Sequence, residues 1–124
     1  MDADGASPMT HNDSSQFAVS LPHHKLDVYR LSLELVALIH NIAIGSIKDR
    51  DQAREASASC ARNIAEGAGR TSTADKARVY GIARGECVEA IACVEVAFAR
   101  GRCRADDLAR VVALGVAFRR CSPD

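Results

Sequence analysis

Apolar residues recur every three or four positions along four separate stretches of this chain, a spacing typical of one buried face of an α-helix. No stretch alternates apolar and polar side chains in the way that a half-buried β-strand does. The links between the four stretches are short, and helices joined by short links pack beside each other in antiparallel pairs. The sequence therefore predicts an all-α fold, an antiparallel up-and-down four-helix bundle.

Residues 25–121 are predicted to form this bundle as one domain, because a chain of 124 residues is long enough for one sizeable core. Glycines mark the predicted ends of the first three helices, namely Gly45 for the first, Gly67 and Gly69 for the second and Gly101 for the third. Asp49 or Asp51 places negative charge at the start of the second helix, where the helix dipole favours it. We predict helices over residues 26–44, 51–66, 73–100 and 105–120.

Residues 1–24 differ from the rest of the chain, because they show no helical periodicity and contain three acids and no Lys or Arg. This polar composition predicts a disordered acidic leader. The first residues carry acid where a secretory signal carries base, and no apolar stretch reaches the length of a membrane span. We therefore expect a cytoplasmic protein without a membrane partner.

Charge and composition argue against several function classes. The 16 Lys and Arg balance the 16 Asp and Glu, so no global basic field attracts nucleic acid or anionic lipid. Aromatic residues make up only 4% of the chain, too few for repeated stacking on single-stranded bases. Basic residues do cluster locally: residues 48–85 carry eight Lys and Arg against five acids. Solvated helix faces and ion pairs between subunits explain this cluster better than a nucleic-acid patch does.

No group of residues predicts catalysis, a cofactor or a metal site. The five cysteines include no Cys-x-x-Cys pair, and Cys60 and Cys87 are expected to be buried as small apolar side chains. The glycines at 67 and 69 resemble a phosphate-binding loop only weakly, because no strand precedes them and no Gly-Lys-Ser/Thr follows. A helix end explains them better. We expect a protein without enzymatic activity.

The second predicted helix has small side chains on its inner face, so its neighbour must approach closely. An acid, Glu66, lies at the predicted end of this helix, where the helix dipole opposes negative charge. We expect Arg70, Arg62 or Arg84 to compensate it. The predicted inner face consists of Ala53, Ala56, Ser57, Cys60 and Ile64.

The third predicted helix is apolar on two opposite faces. A helix that packs on one side only has no use for the second face, which therefore predicts contact with another chain. The predicted core face comprises Val79, Tyr80, Ala83, Cys87, Ala90, Ile91, Val94, Ala97 and Phe98. The opposite face, which we call the outer seam, comprises Gly81, Gly85, Val88, Ala92 and Val96, continued by Ala99.

Residues 51–70 resemble the signature of the 23S rRNA intervening-sequence protein family, a bacterial family of four-helix bundles. Segments 80–89 and 25–29 also match, and the resemblance covers residues 25–118. The chain departs from the family pattern at Ala61, where many members have Pro, at Ala68, where an aromatic is common, and at Glu86, where Ser is usual. The most specific residues, which we call the family motif, are Asn63, Ile64, Ala65, Glu66, Gly67, Gly69 and Arg70.

This resemblance implies a protein that assembles with itself into a homopentamer and serves as a scaffold or interaction module of unassigned pathway, without a cofactor. One related branch, the accessory variability determinant of diversity-generating retroelements, binds nucleic acid and partners a reverse transcriptase. The resemblance thus implies a second function, a nucleic-acid-binding accessory protein of a reverse transcriptase. The RNA or DNA contacts would then come from Arg54, Arg62, Arg70, Arg78 and Arg84.

Overall fold

The computed structural model describes residues 20–122, and this part of the chain contains helices and no strands. A 3-10 helix at Pro22–Lys25 precedes four α-helices. The prediction of an all-α fold is confirmed. The helices are α1 (Asp27–Asn41), α2 (Ile47–Ala68), α3 (Thr73–Ala99) and α4 (Ala105–Cys121).

The four helices pack in the order in which they follow each other along the chain. The strongest contact joins α2 to α3, while α1 packs on both α2 and α4, and α3 also packs on α4. This cyclic order, with links of only a few residues, is that of an up-and-down bundle, as predicted. Each helix therefore has two packed neighbours and one outward face.

The core lies where the predicted inner faces meet. The small inner face of α2 is buried, from Ala53 to Ile64, and so is the line of Ala90, Val94 and Ala97 on α3. The prediction that Phe98 belongs to this core is wrong, because its side chain is 43% exposed. Successive residues of a helix are rotated by about 100°, so Phe98 points away from the line that Ala97 continues.

The link between α1 and α2 contributes to the core although it is not helical. Helix α1 ends at Asn41 instead of continuing to residue 44, and Ile42 adopts an extended backbone. Alternate side chains of an extended segment point the same way, so Ile42 and Ile44 are both buried. The Gly45 amide donates to the Arg102 carbonyl at 2.8 Å, which joins this link to the α3–α4 link.

Helix α2 is longer than predicted at both ends. It begins at Ile47 instead of residue 51, because the Ser46 hydroxyl caps it by accepting a hydrogen bond from the Asp49 amide at 3.3 Å. It also continues through Gly67, where an end was predicted, and its C-cap is Gly69. Gly101, with φ of +74°, follows the end of α3 as expected.

A short helix lies across the predicted boundary of the leader at residue 24. Residues 1–19 lie outside the described residues, but Pro22–Lys25 forms the 3-10 helix and contacts α2 and α1. Proline suits the start of such a turn because its φ angle is already restricted. The His23 ring packs edge-on against Tyr29 of α1, with ring centroids 4.6 Å apart.

Candidate interaction surface

The family motif covers the last turns of α2 and the start of its link to α3. Ile64 is fully buried in the core, and Gly67 lies directly under the Tyr80 ring of α3. A Cβ atom at residue 67 would come within 2.9 Å of two ring carbons of Tyr80, which is closer than such contacts allow. Burial raises the pKa of the Tyr80 hydroxyl, which keeps the side chain neutral. Gly67 thus permits the close packing of α2 against α3.

Asn63 belongs to a polar contact that joins the same two helices. Its side-chain amide donates to the Ser59 carbonyl at 2.8 Å and to the Ser59 hydroxyl at 3.2 Å. The Ser59 hydroxyl in turn donates to the carboxylate of Glu86 on α3 at 3.0 Å. Sequence reasoning missed this role of Ser59 and Glu86. The sequence shows Glu86 as one of three departures from the family pattern, which did not single out this contact.

Charged side chains stabilise the end of α2. Arg70 forms an ion pair with Glu66 and lies 3.9 Å from Asp75, so it is Arg70 that compensates the acid at this helix end. The Lys76 ammonium donates to the Ala68 carbonyl at 2.9 Å, where a positive charge suits the helix C-terminus. These polar contacts of the family motif lie within α2 or join the end of α2 to the start of α3.

The five arginines predicted to contact nucleic acid do not share one face of the protomer. Arg54 donates to the His40 carbonyl of α1, whereas Arg84 lines a groove between α3 and α4. Arg62 is paired with Glu55 at 2.7 Å on the outward face of α2. Only Arg70 and Arg78 share a contact, because both lie within ion-pair distance of Asp75. Carboxylates therefore offset much of the positive charge that these residues would present to phosphate.

The outer seam of α3 lies on the surface of the protomer, and no described helix packs on it. Val88 is 58% and Val96 43% exposed, and Gly85 and Ala99 are exposed as well. Gly81 and Ala92 are half-buried. Val116 of α4, which is 45% exposed, lines a groove together with Val88 and extends the apolar surface across to α4.

The two glycines of the outer seam have no steric role in the described part of the protomer. A Cβ atom added to Gly85 would meet nothing within 4 Å, and one added to Gly81 would meet only the Arg84 guanidinium at 3.6 Å. Glycine within a helix costs about 0.5–1 kcal/mol relative to alanine. Gly67 and Gly115 differ, because a Cβ there would collide with Tyr80 and Ile91.

A groove of about 190 Å³ separates α3 from α4 beside the outer seam. Phe118 and Cys87 are buried in its wall, while Val116 is partly open to solvent. Half-buried Arg84 and exposed Arg119 provide its basic side chains. Sequence reasoning missed this groove, because it depends on the relative placement of two helices. We call it the α3–α4 groove; its other apolar lining residues are Val88, Ile91, Val112 and Gly115.

Cys60 and Cys87 are buried, as predicted, and face each other from α2 and α3. A hydrogen bond with the Cys87 side chain, together with burial, raises the pKa of the Cys60 thiol. A protonated thiol is a poor nucleophile. Cys60 therefore acts as a small core residue.

Comparison with protein-family models identifies the family. The model described as 23S rRNA-intervening sequence protein matches residues 24–114, which is most of the chain and includes the whole α2–α3 turn. The chain belongs to the 23S rRNA-intervening sequence protein family. The expected family resemblance is thus confirmed for this family.

A search of curated proteins found no match to this member of the 23S rRNA-intervening sequence protein family. Among its described residues, no helix is both long enough and apolar enough to span a membrane. The last turns of α4, with Val116 and Arg119, lie beyond the match to the family model.

Proposed function

We propose that the protein is a non-enzymatic scaffold that assembles with copies of itself through the outer seam of α3. The observation that supports this most directly is that Gly81 and Gly85 weaken α3 while no contact with residues 20–122 requires them. Glycine at a helix surface allows the backbone of another helix to approach closely. A second copy of the chain would use that space.

The exposed apolar side chains supply the free energy for such an assembly. Val88, Val96 and Val116 lie on the α3–α4 side of the bundle, each more than two-fifths exposed. Fully burying a valine side chain contributes about 1.5–3 kcal/mol. Burying several of them against a close-packed partner would offset part of the entropy lost on association.

The proposed assembly is a closed ring, with five copies as the family resemblance implies. A ring requires two different faces that meet head to tail. Two other exposed apolar side chains, Leu21 and Ile47, belong to the α1–α2 half, away from the outer seam. They are candidates for the second face. We place the assembly in the cytoplasm, where its free cysteines would stay reduced.

Light scattering coupled to size-exclusion chromatography tests this proposal. At micromolar concentration the wild-type chain should elute with five times the mass of one protomer. The Gly85→Leu variant should elute as a monomer, because the new side chain fills the space left for a partner, while its Cβ atom meets no described residue of its own protomer within 4 Å.

Ala113→Leu is the matched control, since Ala113 is exposed on α4 beside α1, away from the outer seam. It should assemble as the wild type does, and both variants should retain helical circular dichroism. A monomeric wild type, or a Gly85→Leu variant that assembles normally, would contradict the proposal.

A nucleic-acid role through the arginines is the second candidate, supported by the meeting of Arg70 and Arg78 at the α2–α3 turn. A ring would repeat this pair and gain avidity. Binding of labelled RNA and DNA should then weaken steeply as salt increases, because phosphate contacts release counterions. Absence of binding at low salt would exclude this function, and also its extension to a reverse-transcriptase accessory role.

A further inference from the structure

The outward side of α1 and α2 forms a second partly apolar surface, on the other half of the bundle from the outer seam. Leu33 and Val36 are half-buried and share one side of α1 with His40, because helical neighbours recur every three or four residues. The guanidinium of Arg54 on α2 donates to the His40 carbonyl at 3.1 Å, which places this side of α1 beside α2. We call this surface the α1–α2 face; it comprises Leu33, Val36, Ile47, Arg54, Ala58 and Ala65.

Arg54 is a half-buried cation of this face that lacks an acid. Its Nε atom is buried and has no hydrogen-bond acceptor among residues 20–122. None of the described carboxylates forms an ion pair with Arg54, whereas Arg62 on the same helix is paired with Glu55. A guanidinium forms strong, charge-assisted hydrogen bonds with a carboxylate. Arg54 therefore retains a donor for an acid on another chain.

Acids without such a partner border the outer seam of α3. Glu89 and Glu95 lie three residues before and after Ala92, so they are neighbours of this seam on the helix surface. Both are exposed, and neither forms an ion pair within residues 20–122. Residues 86–99 contain three Glu and no Lys or Arg. The charge beside the outer seam thus complements that of Arg54.

An ion pair fixes the level of Arg54 relative to α3. The carboxylate of Asp49 lies 3.2 Å from the guanidinium of Arg100, so these residues are at about the same level of two antiparallel helices. Both helices rise by about 1.5 Å per residue. Arg54 follows Asp49 by as many residues as Glu95 precedes Arg100, which puts Arg54 and Glu95 at one level. Rotation about an axis parallel to the bundle preserves this level between copies of a ring.

Small side chains of the two faces match in the same register. By the same count, Ala58 lies within one residue of the level of Ala92. Ala65 likewise lies within one residue of the level of Gly85. Small side chains that face each other allow two helix backbones to approach closely. The α2 helix of one copy can therefore come close to the α3 helix of the next.

We propose that the α1–α2 face is the second face of the ring and that Arg54 binds Glu95 of the next copy. This inference rests on the proposed function, because it requires copies that assemble through the outer seam. The same contact would cover Ile47, which is 67% exposed in the protomer. The ion pair would set the orientation of neighbouring copies, since a wrong register would leave both charges unpaired.

Charge reversal in the full-length chain tests the inference, with light scattering over a dilution series as the readout. Arg54→Glu and Glu95→Arg should each raise the concentration of half-dissociation by about tenfold or more, because each brings like charges together. Both changes in one chain restore the pair with reversed sign, and assembly should recover. Arg110→Glu is the matched control, since Arg110 is exposed on α4 beside α1, away from both faces, and it should assemble normally.

The outcomes separate this inference from the proposed function. A wild type that Gly85→Leu dissociates, but that Glu95→Arg leaves assembled, would retain the outer seam as a contact and overturn the role of Arg54. A monomeric wild type would contradict both. A folded double variant that stays dissociated would also overturn the pairing.

Two further readouts guard against a misleading result for Arg54. Arg54→Glu loses the hydrogen bond to His40, so circular dichroism must show that it remains helical. If it does not, Glu95→Arg decides alone, because Glu95 is exposed and its replacement should leave the fold intact. An Arg54→Glu variant that assembles normally but loses RNA binding would assign Arg54 to nucleic acid and overturn the inference.

Discussion

Two glycines of the family motif, separated by one residue, have different physical roles. Gly67 is buried beneath the Tyr80 ring, and a Cβ atom there would lie 2.9 Å from the ring carbons. Gly69 is exposed at the end of α2, and its φ of −83° is one that any residue adopts. The sequence shows both as part of one glycine-rich helix end. Only the position of Tyr80 shows which of them is sterically required.

Replacing Gly67 with alanine should therefore destabilise the protein, whereas the same change at Gly69 should not. Gly67→Ala displaces the Tyr80 ring, and overpacking of this kind costs about 1–3 kcal/mol. Gly69→Ala reduces the entropy of the unfolded chain without strain and should be neutral or stabilising by up to about 1 kcal/mol. Urea unfolding followed by circular dichroism measures both changes. Equal losses in the two variants would disprove the distinction.

Among the helices, the start of α2 was the least predictable from sequence. Its first turn reverses the expected pattern, because Ile47 is 67% exposed while Asp49 is buried. The Asp49 carboxylate is 3.2 Å from the guanidinium of Arg100, at the end of α3. Hydrophobic periodicity cannot reveal a buried acid whose partner lies 51 residues further along the chain. The central turns of each helix follow the apolar pattern and were predicted correctly.

The Ser46 cap of α2 should make a measurable contribution to the free energy of unfolding. Ser46→Ala removes the hydroxyl that accepts from the Asp49 amide and should lower the free energy of unfolding by about 0.5–2 kcal/mol. Asp51→Ala should change it by less than about 0.5 kcal/mol, because Asp51 is an exposed residue within the helix. Chemical denaturation of both variants measures the difference. A larger loss of stability in Asp51→Ala than in Ser46→Ala would contradict the assignment of Ser46 as the cap of α2.

For the whole molecule, sequence reasoning predicted the order of the helices and the outer seam but not the α3–α4 groove. The outer seam lies on one helix, so its spacing is visible in the sequence. The groove combines Arg84 of α3 with Arg119 of α4, and no pattern within one helix brings them together. The same limit applies to the five arginines, which look like one set in the sequence and lie on different sides of the bundle.

Self-association should make thermal stability depend on protein concentration. If five copies assemble, each tenfold increase in concentration should stabilise the protomer by about 1 kcal/mol and raise Tm by roughly 4–8 °C. The monomeric Gly85→Leu variant should show no such increase. Differential scanning calorimetry over two decades of concentration makes the comparison. A concentration-independent Tm in the wild type would argue against assembly.

The contact between Gly67 and Tyr80 bears on how this family diversifies. Residues of the motif form the end of α2 and its packing against α3, so selection for folding alone is enough to maintain them, whatever a given member binds. Two members could therefore share the motif completely and still act in unrelated processes. What a relative inherits through these residues is an architecture, and its individual role has to be sought on the outward faces of α3 and α4.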